Sequence, residues 1–107
     1  MDFHVLMVLA ERPSYGYAIM KAVTAQSRGA VAPEIGSLYR VLSRLVAEGW
    51  VKEAAAPKDG RRGARGLPRR YYALTAQGRA MAKSEASRLS RVVALAREHD
   101  LLPQAGA

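Results

Sequence analysis

Apolar residues recur with helical spacing in three segments of the first fifty positions. The first segment, FHVLMVLA at residues 3–10, places them on one face of a short helix that Asp2 can cap and that ends before Pro13. The second segment starts after Ser14, the expected N-cap, and continues to Gln26. A glycine-containing loop follows, so the chain is predicted to open with two helices.

The third segment has the most regular pattern. Pro33 and Glu34 suit the first turn of a helix, because proline fixes φ and an acid favours the positive end of the helix dipole. Gly49 is expected to close the helix as a C-terminal cap residue. Apolar residues follow at i, i+3, i+4, i+7 and i+8: Leu38, Val41, Leu42, Leu45 and Val46. The opposite face is polar and is therefore available to a partner.

Two short segments predict a β-hairpin. WVKE (Trp50–Glu53) and RYYAL (Arg70–Leu74) alternate and are rich in aromatic and β-branched residues, which favours strands. Period two places Tyr72 in the core and leaves Tyr71 at the edge, and Trp50 is expected in the core. A long basic loop joins the two strands.

A fourth helix follows the hairpin. Thr75 is its expected N-cap, and its apolar stripe ends before Pro103. This stripe is long for so small a domain, so we expect it to face a second copy of the chain, together with the first helix. The expected interface residues are Leu6, Leu89, Val92, Val93 and Ala96.

The order of elements defines a fold class: mainly α with a small β-hairpin, as in a winged helix-turn-helix domain with a C-terminal dimerisation helix. We expect the DNA-binding domain at residues 1–75, with its wing at about 50–74. The dimerisation helix is expected at 76–102, and a disordered tail at 103–107.

Charge narrows the choice of partner. The 107 residues carry a formal charge of +8. Six cations and one acid lie between Lys58 and Arg70, which indicates a polyanionic partner, most often nucleic acid. The alternative is a solvated basic loop.

Composition disfavours several other classes. The chain has no cysteine, so disulfides, thiolate zinc sites and a cysteine nucleophile are excluded, and a reducing cytoplasm fits. His4 and His99 lie far apart with no nucleophile or metal motif, so we expect neither an enzyme nor a cofactor. FHVLMVLA lacks a basic start and a cleavage site, and it is too short to span a membrane.

Three stretches in order resemble the motifs of the PadR-like transcriptional regulators. They are LAERPSYGYAI (Leu9–Ile19), GSLYRVLSRL (Gly36–Leu45) followed by EGWV (Glu48–Val51), and LPRRYYALTAQGR (Leu67–Arg79). The resemblance implies a homodimeric repressor that binds a near-palindromic operator in double-stranded DNA. Some relatives take flat, apolar or phenolic effectors between their subunits, so a small hydrophobic or phenolic effector is an expectation here.

In a helix-turn-helix motif the N-terminal part of the recognition helix meets base edges, while the preceding helix crosses the DNA backbone. On the third helix the expected DNA-binding residues are Gly36, Ser37, Tyr39, Arg40, Ser43 and Arg44. Each arginine has three possible roles, namely base contact, phosphate contact, or a solvated or intraprotein side chain. Tyr39 either contacts DNA or packs on the body, and Gly36 permits close approach either of phosphate or of the second helix.

Two further groups complete the predicted interface. Tyr15 and Gly16 begin the second helix, whose free N–H groups suit a phosphate, although Gly16 can instead serve helix packing. The wing arginines are expected on the DNA backbone or in a minor groove: Arg61, Arg62, Arg65, Arg69 and Arg70. The rival interpretation is a basic RNA-binding or partner-binding module that uses the Arg-Gly segment.

Overall fold

The computed structural model describes residues 1–56 and 70–104. Its elements, in chain order, are α1 (Asp2–Glu11), β1 (Ser14–Tyr15), α2 (Gly16–Gln26), α3 (Ile35–Ala47), β2 (Val51–Ala54), β3 (Tyr71–Leu74) and α4 (Ala76–Glu98). The described residues therefore form four helices and a three-stranded antiparallel sheet of order β1-β3-β2. This confirms the predicted fold class. None of these helices, within the residues described, is both long and apolar enough to cross a membrane.

The starts of the first three helices differ from the predictions. Asp2 is the first residue of α1 rather than its cap, and the residue before it, Met1, makes no side-chain capping bond. Ser14 does not cap α2, because it lies in β1 and α2 begins at Gly16. Helix α3 begins at Ile35, so Pro33 and Glu34 precede its first turn. The Asp2 carboxylate pairs with Arg44 instead, and Ser14 takes part in strand pairing.

The end of α3 follows the prediction. Gly49 has φ +81, a conformation that glycine adopts without a steric cost. Its N–H donates to the Val46 carbonyl at 3.0 Å, and the Trp50 N–H donates to the Leu45 carbonyl at 3.0 Å. These two bonds form a Schellman motif, which ends the helix and turns the chain into β2.

The hairpin is confirmed, and a third strand joins it. Val51 pairs with Leu74 and Ala54 with Tyr71 across β2 and β3. On the other side of β3, Tyr15 of β1 pairs with Tyr71. The prediction that Tyr71 stays at the edge was wrong: it is 7 % exposed, and its ring meets that of Tyr15 edge to face at 5.5 Å between centroids.

The core lies where α1, α2, α3 and the hairpin meet. Leu38, Leu42 and Leu45 of α3 are fully buried, as the apolar pattern predicted, and Tyr72 is 4 % exposed. Val46 belonged to the same predicted stripe but is exposed. Trp50 is half-buried and packs against the core rather than within it. The other buried core residues are Val5, Leu6, Val8, Leu9, Ile19, Val23 and Val51.

The first turn of helix α4 packs against the turn that follows α3, and much of the rest of the helix extends away from the core. The Thr75 hydroxyl accepts from the Gly78 N–H at 2.9 Å, which confirms it as the N-cap, and donates to the Gly49 carbonyl at 2.6 Å. Gly78 is the only residue of α4 that is buried. Since 23 residues of helix extend about 34 Å, much of α4 lies beyond the core. Of the expected tail, residues 103 and 104 have no regular structure and 105–107 lie outside the described residues.

Candidate nucleic-acid interface

The exposed side of α3 presents a short polar cluster near its N-terminus. Arg40 donates from its Nη2 atom to the Ser37 hydroxyl at 3.1 Å, one helical turn away. Among the described residues Arg40 forms no ion pair, so its charge is available to an anion. Ser43 is exposed on the same helix. Arg40 thus combines a free positive charge with a partly fixed side chain.

Arg44 stands in a different environment, although the four-residue spacing places it on the same face as Arg40. Its Nη2 atom lies 2.6 Å from an Asp2 carboxylate oxygen, and its Nη1 atom lies 3.5 Å from Glu48. The hydrogen bond and charge of Asp2 raise the pKa of Arg44 above its ordinary value, with a smaller contribution from the charge of Glu48. Of the three roles considered, that of an intraprotein side chain, here in an ion pair, is the one observed in this structure.

Gly36 lies in the first turn of α3 and is exposed. A Cβ built on it would meet no atom of the described residues within 4 Å. Packing by α2 therefore does not account for this glycine, whereas an open site leaves room for an external phosphate. Glycine here costs roughly 1 kcal/mol of helix stability relative to alanine.

Tyr39 and Gly16 lie against each other. A Cβ on Gly16 would stand 2.6 Å from the Tyr39 hydroxyl oxygen, so the phenol occupies the space that a side chain would need. Gly16 is buried, while Tyr39 is 41 % exposed. The helix-packing alternative considered for Gly16 is the observed one. Tyr15 is half-buried against Tyr71.

Arg70 lies at the base of the wing, directly before β3. Its Nε atom lies 3.5 Å from a Glu53 carboxylate oxygen. Its pKa is raised, first by a hydrogen bond with Tyr72, then by the charge of Glu53, and to a lesser degree by Tyr72 and Tyr39 through charge. Arg70 is therefore paired with residues of the hairpin itself, Glu53 and Tyr72. The other predicted wing residues, Arg61, Arg62, Arg65 and Arg69, lie outside the described residues.

Sequence reasoning missed a second exposed pair, on α2. Tyr17 was grouped with the apolar run, yet it is 52 % exposed, and the Lys21 Nζ atom lies 5.2 Å from its ring centroid. The pair points away from the buried face that carries Ile19 and Val23. The tyrosine-to-lysine spacing of four residues was the available signal.

The predicted dimer residues fall into two groups. Leu6 is 3 % exposed within the core of its own chain, so it has almost no surface left for a partner. Val92 is 50 % exposed, and Leu89, Val93 and Ala96 are half-buried on α4. Leu95, which was not predicted, is 52 % exposed. The open apolar surface therefore lies on α4, toward its C-terminal end.

The four helices and the small antiparallel sheet are those of a winged helix protein. Residues 5–84 match the model of the transcriptional regulator PadR-like family. The chain therefore belongs to the PadR-like family of transcriptional regulators. None of the curated proteins matches it.

Solved structures share the fold at low sequence identity. A PadR family transcription regulator from Clostridium difficile has 20 % identity and a TM-score of 0.72, over 92 % of this chain and 95 % of that one. A PadR-like regulator from Bacillus cereus has 18 % identity and a TM-score of 0.74, over 95 % and 92 %. Bacillus subtilis PadR in complex with operator DNA has 18 % identity and a TM-score of 0.64, over 79 % and 45 %.

Proposed function

We propose that this protein is a homodimeric, effector-responsive repressor that binds a near-palindromic operator through α3 and the wing. The observation that carries the proposal is the exposed polar side of α3, where Ser37 holds the Arg40 side chain and Arg40 forms no ion pair among the described residues. An α-helix fits the major groove, where arginine can bond guanine with two N–H groups.

Within this interface Arg40 reads base edges, with Ser37 holding its side chain and Ser43 contacting DNA one turn further on. The wing arginines Arg61, Arg62, Arg65, Arg69 and Arg70 neutralise phosphates. Phosphate contacts position a protein on the duplex, whereas base contacts determine sequence choice. We therefore assign affinity mainly to the wing and specificity mainly to α3.

The dimer is supported by the unpartnered half of α4. Val92 and Leu95 expose apolar surface on a part of the helix that no described residue of the chain covers. A long amphipathic helix in water is marginal unless its apolar face is packed. A second copy offers the same face and can bury it across a two-fold axis, together with Leu89, Val93 and Ala96.

A space for an effector lies where α1 and α4 meet the wing root. It has a volume of about 350 Å³ and is lined by Met1, Asp2, Phe3, Leu6, Trp50, Met81 and Glu85. This volume and its mainly apolar lining fit a small hydrophobic ligand. Asp2 lines this space and pairs with Arg44, so a bound ligand that displaces Asp2 would also affect α3. Trp50 is the only tryptophan, so its fluorescence reports on occupancy.

The test is a binding titration on the DNA upstream of the gene. We expect a shifted duplex at physiological salt, a single bound dimer per near-palindromic site, and no competition from single-stranded RNA. For about six to ten phosphate contacts, affinity should fall by roughly a thousandfold or more between 50 and 200 mM salt. A log-log slope shallower than about −2 would contradict the wing assignment, and preferred binding to RNA would support the rival interpretation.

A further inference from the structure

The contact between Tyr39 and Gly16 joins two elements of the proposed interface. A Cβ on Gly16 would lie 2.6 Å from the Tyr39 hydroxyl oxygen, 2.7 Å from Cζ and 2.9 Å from Cε1. Real Cβ atoms do not approach heavy atoms so closely. The end of the phenol ring therefore rests directly on the backbone of the first residue of α2.

Space, rather than backbone conformation, distinguishes glycine here, because a Cβ would displace the Tyr39 ring from its present position. Positive φ angles among the described glycines occur at Gly29 and Gly49, and Gly16 is not one of them. Any residue could adopt the Gly16 backbone, but its side chain would collide with the ring. In the sequence, Gly16 stands between two tyrosines, but this pattern does not show that Tyr39 of α3 is the residue that packs on it.

The hydroxyl end of Tyr39 is turned toward the protein. Of the atoms that a Cβ on Gly16 would meet, the hydroxyl oxygen is the nearest. The ring of Tyr39 thus contacts the start of α2, while its backbone belongs to α3.

We propose that Tyr39 is a positioning residue: its ring on Gly16 fixes the N-terminal half of α3 against the first turn of α2. Ser37 and Arg40, which lie within one turn of Tyr39, are then held at a fixed distance from the part of α2 that crosses the DNA backbone. The inference rests on the proposed DNA-binding function. It differs from the sequence expectation in giving Tyr39 a role without a DNA contact.

The experiment measures operator affinity and its salt dependence for G16A, Y39A, Y39F and the double variant G16A/Y39A. Far-UV circular dichroism and mass measurement establish that each is folded. We expect Y39A and G16A each to weaken binding by about tenfold or more, because both disturb the contact between the Tyr39 ring and Gly16. The double variant should be no weaker than Y39A, since alanine at position 39 removes the ring with which the new Cβ collides.

Y39F separates positioning from contact. The phenylalanine ring keeps the contact with Gly16. We therefore expect Y39F to retain most of the affinity that Y39A loses, with the same salt slope as the parent protein. A direct phosphate contact by the hydroxyl predicts the reverse, namely Y39F as weak as Y39A. Either that result or additive losses in G16A/Y39A would overturn the proposal.

A second measurement does not depend on DNA. Urea unfolding of the same four proteins gives the coupling between positions 16 and 39, which neighbours in contact show and distant sites do not. If the parent protein binds no DNA but the coupling is present, the proposed function is wrong and the Tyr39–Gly16 contact is confirmed. If the parent protein binds DNA but the coupling is absent, the positioning role of Tyr39 is wrong and the proposed function stands.

Discussion

Gly78 passes so close to Trp50 that a Cβ on the glycine would stand 2.0 Å from the Trp50 carbonyl oxygen. The same carbonyl accepts from the Thr75 N–H at 3.1 Å, so it is fixed in place. Leu74 closes the other side, with its Cδ1 atom 2.9 Å from the same position. The first turn of α4 can therefore approach the wing root only where there is no side chain.

Replacing Gly78 with alanine should destabilise the protein by about 1–3 kcal/mol or more, because a backbone atom rather than a flexible side chain must move. Urea and thermal unfolding measure the loss. G36A is the matched control: it also adds one methyl group to the first turns of a helix, but into open space, and should leave stability unchanged or raise it by up to about 1 kcal/mol. Equal effects of the two substitutions would show that the close approach at Gly78 is not a constraint.

The two arginines of α3 should contribute differently to DNA binding. Arg40 has no ion pair among the described residues, whereas Arg44 pairs with Asp2 and Glu48. We expect R40A to cost about 1–3 kcal/mol of operator binding and to relax sequence preference at one base pair. R44A should affect operator binding less, because its guanidinium already has partners.

Competition titrations with operator and scrambled duplexes measure both variants. The contrast between them is the prediction, since each removes one positive charge from the same helix face. A larger loss of specificity in R44A than in R40A would mean that DNA displaces Asp2 from Arg44 when the complex forms.

How far the sequence predicts this molecule depends on the range of the interactions involved. The Gly49 turn was predicted because its backbone conformation favours glycine. The Thr75 cap was predicted because its partner, the Gly78 N–H, lies three residues further along the chain. The strand at Ser14 was missed because it exists only through pairing with Tyr72, far along the chain. Likewise, helical spacing placed Arg44 on the correct face, but its partner Asp2 lies 42 positions away. Side-chain partners of the site therefore required the structure.

The wing arginines should set affinity without setting sequence choice. Replacing Arg61, Arg62 and Arg65 together with alanine should weaken binding to operator and scrambled duplexes alike. It should reduce the salt slope by up to about five units, because the two chains of a bound dimer together lose six phosphate contacts. The triple variant R88A/R91A/R97A on α4 removes the same charge and is the control, once its dimer mass has been verified. A changed operator preference in the wing variant would contradict the division between wing and α3.

The exposed apolar side of α4 should be the surface that pairs two chains. V92E places a carboxylate in the middle of that side, where burial without a partner costs several kcal/mol, so we expect the dimer to dissociate. S87E is the matched control, because helical geometry puts residue 87 on the opposite side of α4 and the added charge is the same. Sedimentation or light scattering gives the mass, and the upstream duplex gives the functional effect. A monomeric V92E should also bind the near-palindromic site more weakly, since each half-site is then bound independently. A V92E protein that remains dimeric would show that the two copies meet elsewhere on the molecule.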